Sequence, residues 1–411
     1  MASAVAVIPQ AEATEGQFAL GYGVAQRSTG GAGVAQATDA MSAAINPATA
    51  ADIGREFQVG IEFFAPFRGY EASGTILVAP GDVRSDRNLF FIPNLAYNHP
   101  IDENSAINFS IYGNGGQNTD YGDVLNLAPG CGGFSPGVFC GGKAGVDLMQ
   151  VFISATYAYD FGNVAIGIAP TLAVQSFEAT GLGVFAPFSS NPLALTNNGH
   201  EMSLGGGLRA GVLVDVTENV RIGLSGQTKM WMQKFDSYAG LFANQGEFDI
   251  PPSVSAGIAV DVVDDLTLMF DYQRIFYTDV DAIGNPFFPA PLGSSDGPGF
   301  GWDDVDVFKV GVEWRQNERF TWRGGYAFAT NPIGSDDVTL NVIAPGLVEH
   351  HLTGGGNIRI TERDSIDFGL LYAFSNSVTG PEVTPFGVTP GSSIEIEMHQ
   401  FSASVGWKRT F

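Results

Sequence analysis

Hydrophobic and polar positions alternate with a period of two along much of this chain. In residues 57–67 every odd-numbered position is apolar, whereas Gln58, Gly60 and Glu62 occupy the other parity. Comparable alternation recurs in residues 150–159, 202–215, 308–315, 320–328, 365–375 and 400–411. Successive side chains of a β-strand point to opposite faces, so this period predicts strands with one apolar face each. The pattern therefore predicts an all-β protein.

The two predicted strand faces differ in a way that favours a membrane barrel over a soluble sandwich. Aromatic residues lie toward the ends of the apolar runs, among them Tyr157, Tyr159, Tyr372, Phe374 and Trp407. Transmembrane barrels carry such aromatic girdles at both membrane interfaces. Charged residues occur on the opposite face, deep within strands, where a dry core would not accept them. We therefore expect a lipid-facing exterior and a wet or ligand-filled lumen.

The connections between the predicted strands fall into two classes. Six are short polar turns, at residues 99–104, 160–163, 215–219, 262–265, 315–318 and 361–364. Seven are long and rich in Gly, Pro and Asn, at residues 68–88, 114–145, 179–199, 233–250, 278–303, 330–347 and 376–392. Outer-membrane barrels have short periplasmic turns and long extracellular loops. The alternation predicts a fourteen-stranded antiparallel transmembrane β-barrel over residues 53–411.

Residues 1–52 lack the alternation and divide into two segments. Residues 1–14 resemble the end of a signal peptide, with the cleavage-like Ala11-Glu12-Ala13 but no preceding Lys or Arg. Residues 15–52 are dominated by small uncharged side chains. We interpret this second segment as a plug, or hatch, inside the lumen. A periplasmic tail is the alternative.

Composition narrows the class of protein further. The chain has 411 residues, 54 of them Gly, and 43 acidic against 19 basic residues, for a net charge of −24. This balance argues against a nucleic-acid-binding protein, which needs a basic surface. No apolar run reaches the about eighteen residues that a membrane-spanning helix requires. With a terminal strand that ends on Phe411, the profile predicts the bacterial outer membrane.

Several short motifs occur in the order found in a known family. They are residues 28–33, Asn46-Pro47-Ala48, residues 92–97, 250–253, 271–275 and 323–327, and Asn331-Pro332. In these motifs the chain resembles the outer-membrane long-chain fatty-acid and hydrocarbon transporters of the FadL type. The resemblance implies a fourteen-stranded barrel and an N-terminal hatch that contains Asn46, Pro47 and Ala48. It also implies a kinked third strand that opens the wall sideways into the membrane.

The predicted third strand, residues 106–116, has a suitable sequence for such an opening. It ends with Gly113, Gly115 and Gly116. Glycine weakens strand pairing and permits β-bulges. We predict a lateral gap at these three glycines; the alternative is that they only begin the long loop.

Cargo chemistry stays open between fatty acids and hydrocarbons. In the family, basic residues in the lumen meet the fatty-acid carboxylate, one of them near the top of the fifth strand, but residues 172–177 here contain no Arg or Lys. The candidates elsewhere are Arg209, Arg221, Lys229, Lys309 and Arg323. They can bind a carboxylate through charge-assisted hydrogen bonds. They can equally pair with Glu313, Asp271 and Asp367, which leaves an uncharged hydrocarbon as the rival cargo.

The long loops contain two further features. Phe185, Phe188, Phe287 and Phe288 lie in apolar stretches that suggest either a landing site for cargo or packing of loop against loop. Cys131 and Cys140 are predicted to form a disulfide, as expected in an exported loop. Neither feature suggests a metal site.

The functional prediction is a passive channel for hydrophobic molecules. We expect lipopolysaccharide and outer-membrane lipid as neighbours, no nucleic-acid partner, no cofactor and a monomer. Acidic doublets at 303–304 and 336–337 either bridge to lipopolysaccharide through divalent cations or only solvate the loops. No hydrolase or metalloprotease motif occurs, so no enzymatic activity and no catalytic residues are expected. A general porin and a structural or adhesive barrel are the alternatives.

Overall fold

The computed structural model describes residues 14–122, 124–132 and 135–411. The predicted leader, residues 1–14, lies outside the described residues except for Thr14. Within the described ranges, no helix has the length and apolar character needed to cross a membrane.

Fourteen long antiparallel strands form a closed barrel, as the sequence predicts. They are β1 Glu56–Ser73, β2 Phe90–Pro100, β3 Ser105–Tyr121, β4 Ala144–Asp160, β5 Val164–Thr180, β6 Glu201–Thr217, β7 Val220–Gln227, β8 Ser253–Val263, β9 Leu266–Ile275, β10 Val305–Arg315, β11 Phe320–Ala329, β12 His350–Arg359, β13 Asp364–Gly380 and β14 Ser393–Thr410. Each strand pairs with the next in sequence, and β14 pairs with β1 along its length. This pairing leaves the barrel without a free edge.

The long connections and the N-terminal residues 14–52 contain short strands and helices. Gly81–Arg84 pairs with β1 and Trp231–Met232 pairs with β6, while Leu125–Asn126 pairs with Ser135–Pro136 and Val383–Thr384 with Gly387–Val388. The short helices, α-helical or 3-10, are Val24–Ser28, Ala40–Ala44, Pro47–Ala51, Pro129–Cys131, Gly183–Phe188, Pro192–Ala194, Asp236–Tyr238, Ala243–Gly246, Tyr277–Asp279, Asp281–Gly284, Ser335–Asp337 and Val338–Asn341.

All six predicted short turns connect strands at one end of the barrel, and the seven long connections lie at the other. Three strands run farther into the predicted loops than their composition suggests: β1 to Ser73, β3 to Tyr121 and β13 to Gly380. The reason is pairing, because residues 69–73 continue their ladder with β14 although their sequence does not maintain the apolar alternation. Neighbouring backbone, rather than residue type, decides where these strands end.

The alternation of the strands places apolar side chains outside and polar side chains inside. On β1, Val59, Phe63 and Phe67 are 38–41% exposed on the outer face. Inward-facing Gln58 and Glu62 of the same strand are buried. The outer face is thus the apolar band that meets lipid.

Residues 14–52, here called the N-terminal segment, are almost entirely buried. Its backbone packs against inward-facing glycines of several strands, with Pro47 against Gly167 of β5, Val34 against Gly223 of β7 and Thr29 against β11. A side chain at those glycines would collide with the segment. The segment therefore lies between the inner faces of strands on several sides of the barrel.

Candidate functional site

The barrel wall is interrupted between β2 and β3. Their ladder runs only from the Pro100–Ala106 pair to the Leu95–Ile111 pair. The next backbone link between the two sides is the hydrogen bond from the amide of Asp86 to the carbonyl of Asp120, at 2.8 Å. Between these two limits, residues 112–119 of β3 have no ladder partner among residues 87–94. We call this interruption the window.

The window arises because β3 bends toward the lumen at a β-bulge. Its register with β4 shifts between Gly113 and Gly115, so Asn114 is the extra residue. The amide of Ala19 donates to the carbonyl of Asn114 at 2.9 Å. A Cβ on Gly115 would collide with the carbonyl of Gln17. Glycine thus permits β3 to exchange its neighbour β2 for the N-terminal segment.

The predicted gap glycines all lie at this bend. Gly116 donates its amide to the carbonyl of Gln17 at 3.0 Å, and Phe18 forms a bridge with Gly115. Gly113 lies beside Ile92, across the window. The start of the N-terminal segment therefore lines the inner edge of the window.

Three buried apolar side chains lie beside the window, and one of them, Ile92, contacts Gly113 across it. Phe64 of β1 and Phe90 and Ile92 of β2 form a separate buried cluster, with 6.3 Å between the centroids of the Phe64 and Phe90 rings. The guanidinium groups of Arg68 and Arg87 both lie within 6 Å of the Phe90 ring centroid. Sequence reasoning missed these residues. The available signal was a break in alternation, because residues 63–64 and 90–92 are apolar on both parities.

Asn46 fixes the predicted Asn46-Pro47-Ala48 turn. Its side-chain oxygen accepts from the amide of Ala48 at 3.1 Å and so caps the 3-10 helix Pro47–Ala51. Its side-chain nitrogen donates to the carbonyls of Val34 at 2.7 Å and of Val212, on β6, at 3.1 Å. One side chain thus joins two parts of the N-terminal segment to the barrel wall.

Two of the predicted lumenal bases bind the N-terminal segment. Lys309 lies 2.8 Å from a carboxylate oxygen of Glu15 and donates to the carbonyl of Leu20 at 3.0 Å. Arg209 donates to the carbonyl of Ala44 and to the side chain of Gln227. These contacts hold the segment in place and occupy both cations.

Two other predicted bases form ion pairs within the wall. Arg323 lies 2.6 Å from a carboxylate oxygen of Glu313 and 2.8 Å from one of Asp367. Arg221 lies 3.1 Å from Asp261. The anticipated pairing with Glu313 and Asp367 therefore exists.

Lys229, the fifth candidate base, lies in the connection that follows β7, which ends at Gln227. Its ammonium group donates to the carbonyl of Asp279. Asp271 accepts from the backbone amides of Gly33, at 2.6 Å, and Val34, at 2.9 Å. All five basic candidates are thus bonded to protein atoms.

Replacing Arg323 by Met is expected to lower stability without weakening cargo binding. The change leaves Glu313 and Asp367 buried without their cation, which typically costs about 3–5 kcal/mol of unfolding free energy. Urea unfolding of the purified barrel measures this loss. The matched control adds Glu313→Gln and Asp367→Asn, which should recover much of it. If the Arg323→Met variant lost fatty-acid binding while its stability stayed unchanged, Arg323 would be a cargo-binding residue instead.

The extracellular loops pack on one another through aromatic side chains. Phe185 and Phe287 are buried, with ring centroids 5.6 Å apart, so these two do not form an exposed patch. Phe188 and Phe288 instead line a surface cavity of about 340 Å³ together with Pro187, Pro289 and Pro385. The accessible part of the predicted landing surface is therefore limited to Phe188 and Phe288.

A disulfide and two acidic doublets complete the loop region. Cys131 and Cys140 are bonded to each other, with Cα atoms 5.3 Å apart. Asp304 lies 3.0 Å from Arg274. Burial, with the neighbouring charges of Asp336 and Asp303, raises the pKa of Asp337 to about 6. No cluster of three or more His, Cys, Asp or Glu suited to a metal occurs in the part of the chain that the structure describes.

Comparisons with known proteins agree with this architecture. The sequence matches the family model described as "Outer membrane protein transport protein (OMPP1/FadL/TodX)" over residues 10–399. Comparison with curated protein sequences gives no match.

Solved structures share the fold at low sequence identity. The toluene transporter TodX of P. putida is 17% identical with a TM-score of 0.70, over 95% of this chain and 99% of that one. The toluene transporter TbuX of Ralstonia pickettii is 19% identical with a TM-score of 0.65, over 95% and 99%. A FadL homologue of Pseudomonas aeruginosa is 15% identical with a TM-score of 0.71, over 96% and 100%.

Proposed function

This chain belongs to the OMPP1/FadL/TodX family of outer membrane transport proteins, and from this premise we propose that it is a passive channel for hydrophobic molecules, hydrocarbons or long-chain fatty acids. Its place is the bacterial outer membrane, and the family transports rather than catalyses. Two similar structures are described as a toluene transporter and, for CymD, as a monoaromatic hydrocarbon channel. Those descriptions support a hydrophobic cargo here.

The window carries the proposal of sideways release. Opening a closed barrel wall normally breaks ladder hydrogen bonds, but residues 112–119 have none to β2. The side chains beside the window are mainly apolar, namely Phe64, Phe90 and Ile92, and the ion pair of Arg87 with Asp147 lies at its upper end. A hydrophobic molecule can take the place of these side chains without leaving polar groups unpaired, because it makes apolar contacts of its own. Cargo would then pass from the lumen into the lipid core without crossing water.

The N-terminal segment would act as the hatch of this channel. Residues 17–19 lie along the inner edge of the window, so their movement would open it to the lumen. The hydroxyl of Tyr277, in the connection between β9 and β10, accepts from the amide of Gln17 at 2.7 Å and donates to the carbonyl of Glu15 at 2.6 Å. This contact links an extracellular loop to the hatch. Cargo that reshapes the loop could thereby release the segment.

Two observations favour this function over its alternatives: the N-terminal segment fills the lumen, and the basic residues are already bonded to protein atoms. A general porin needs an open aqueous bore, whereas residues 14–52 occupy the space between the strands. A carboxylate would have to displace an existing partner from Arg209, Lys309 or Arg323. These observations support an uncharged hydrocarbon as the simplest cargo.

Cargo landing is expected to depend on Phe188 and Phe288. Replacing both by Ser removes the aromatic walls of the loop cavity, so the initial uptake rate at low cargo concentration should fall severalfold while the saturated rate changes little. Uptake of a labelled hydrocarbon by intact cells measures both. Leu193→Ser is the matched control, because Leu193 is 90% exposed on the same connection as Phe188 and does not line the cavity. Equal effects of the two variants would remove the landing role.

A further inference from the structure

Charge is distributed unevenly around the periplasmic rim, the end of the barrel that carries the short turns. The four turns from β2 to β9 together contain seven acidic residues and no Lys or Arg. These turns are residues 101–104, 160–163, 215–219 and 262–265. The two remaining turns, residues 315–319 and 359–364, contain four arginines and three acids. With one arginine before β1 and one at the end of β14, they form what is here called the basic sector: Arg55, Arg315, Arg319, Arg359, Arg363 and Arg409.

The basic sector is continuous along the rim. The amide of Arg359 donates to the carbonyl of Arg319 at 2.9 Å, which joins the end of β12 to the β10–β11 turn. The amide of Thr410, in β14, donates to the carbonyl of Arg363 at 2.8 Å, and β14 pairs in turn with β1. The basic sector thus runs along the rim from β10 to β1 without a gap.

Most guanidinium groups of the basic sector have no carboxylate partner. Arg409 lies 3.2 Å from a carboxylate oxygen of Asp364. The other five arginines form no ion pair within the described residues, and all five are exposed. Only Glu318 and Glu362 accompany them in the same turns, although the chain as a whole has a net charge of −24. Because arginine stays protonated in proteins, this part of the rim keeps an excess of positive charge.

Aromatic side chains hold part of the basic sector at the lipid boundary. The guanidinium of Arg319 lies 5.5 Å from the centroid of the Phe320 ring, and that of Arg409 lies 6.0 Å from the centroid of the Trp407 ring. Phe320 and Trp407 belong to the outward-facing positions of β11 and β14, where the aromatic girdle meets lipid headgroups. A guanidinium stacked on a ring keeps the N–H groups of its edge free for a phosphate.

The other unpaired arginines lie just inside this boundary. Arg315, Arg359 and Arg363 line a polar cavity of about 290 Å³ at the mouth of the barrel. Arg359 is joined through its backbone to Arg319, and screening at physiological ionic strength acts over about 8 Å. These charges therefore add to the positive field at the adjoining lipid surface.

We propose that the basic sector binds the anionic headgroups of glycerophospholipids in the inner leaflet of the outer membrane. The phosphate accepts hydrogen bonds from the stacked guanidinium groups of Arg319 and Arg409. The acyl chains lie against outward-facing Trp314 and Trp322, which are 47% and 43% exposed. The acidic turns of the other sector repel the same headgroups. An acidic periplasmic protein is the rival partner, but stacking on girdle side chains places the donors at lipid. The inference is independent of the cargo.

Tryptophan quenching by brominated lipids tests the site, because the tryptophans are unevenly placed. Trp314, Trp322 and Trp407 lie in the lipid-facing part of the basic sector, Trp302 is buried, and Trp231 is exposed near the long-loop end. The full chain with Trp231→Phe is reconstituted in phosphatidylcholine vesicles that contain brominated phosphatidylglycerol or brominated phosphatidylcholine. Phosphatidylglycerol should quench more strongly at equal mole fraction, and high salt should abolish the preference.

Variants of the basic sector should reduce this preference. Arg319→Gln and Arg363→Gln should each lower the relative affinity for phosphatidylglycerol about fivefold, the usual effect of one cation at a membrane surface. Arg319→Lys keeps the charge and should retain most of the preference. Arg84→Gln is the matched control, because it removes an exposed arginine at the long-loop end and should change nothing. Heat-dependent gel mobility confirms that each variant forms the barrel.

A second reporter shows whether the preference is local. Replacing Trp314, Trp322 and Trp407 by Phe leaves Trp231 as the exposed tryptophan, which should be quenched equally by the two lipids. Equal quenching of the first reporter would overturn the lipid site and favour an acidic protein as the partner. The same preference at both reporters, or an undiminished preference in the Gln variants, would overturn it too. The channel proposal stands in each case, because none of these measurements involves cargo.

Discussion

A disulfide across the window is expected to abolish cargo uptake. A Cβ at Gly113 would lie 2.9 Å from Cγ2 of Ile92, so Gly113→Cys combined with Ile92→Cys places two thiols within bonding reach. Oxidation then ties β3 to β2 where the ladder is missing, and the apolar cluster can no longer move aside. Uptake of a labelled hydrocarbon should fall to that of cells without the protein, and a reductant should restore it.

Two controls isolate the effect of closing the window. Ala259→Cys with Met269→Cys links β8 to β9 at a register pair that already belongs to a continuous ladder, so its oxidation should leave uptake intact. The unaltered protein treated with reductant accounts for the loop disulfide Cys131–Cys140. Full uptake by the oxidised window variant would show that cargo leaves by another route.

Deletion of residues 14–52 is expected to convert the barrel into an open, salt-conducting pore. The segment fills the space between inward-facing polar residues and glycines, including Gly167, Gly223 and Gly325. Without it the lumen would be lined by polar groups and fill with water. Single-channel recording in planar bilayers should show a large, steady conductance, whereas the intact protein should show little.

A milder variant serves as the comparison for the deletion. Asn46→Ala removes the cap of the Pro47–Ala51 helix and the contact with Val212 but leaves the segment in the chain. Its conductance should be brief and intermittent, as expected for a loosened plug. A deletion variant that folds as a barrel but conducts no more than the intact protein would contradict the assignment of these residues as a hatch.

The barrel was predictable because its determinants are local and repeated. The alternation along each strand indicates which side chains face lipid. The length and composition of the connections distinguish the two ends of the barrel. The ends of the strands were harder to predict from the sequence. In β1 and β13, pairing with β14 extends the strand beyond the alternating stretch. The kinked third strand was implied by the family resemblance, and the glycines at 113, 115 and 116 located the bend because glycine permits β-bulges.

The site was less predictable because its contacts join distant parts of the chain. The pair of Lys309 with Glu15 and the position of Phe90 beside Arg68 depend on barrel closure, which no local pattern encodes. The sequence identified basic residues of the inner face, but it did not show whether each one already had a partner within the protein. Lys229 illustrates the same limit, because its bond to the carbonyl of Asp279 joins two separate connections.

Photoaffinity labelling with a diazirine-bearing alkane tests the proposed route most directly. After irradiation of the reconstituted barrel, labelled residues are identified by mass spectrometry. Sideways release predicts adducts on Phe64, Phe90 and Ile92, and none on the residues that line the mouth at the short-turn end, such as Arg315 and Arg359. Adducts at that mouth without any in the window would show passage straight through the barrel and contradict lateral release.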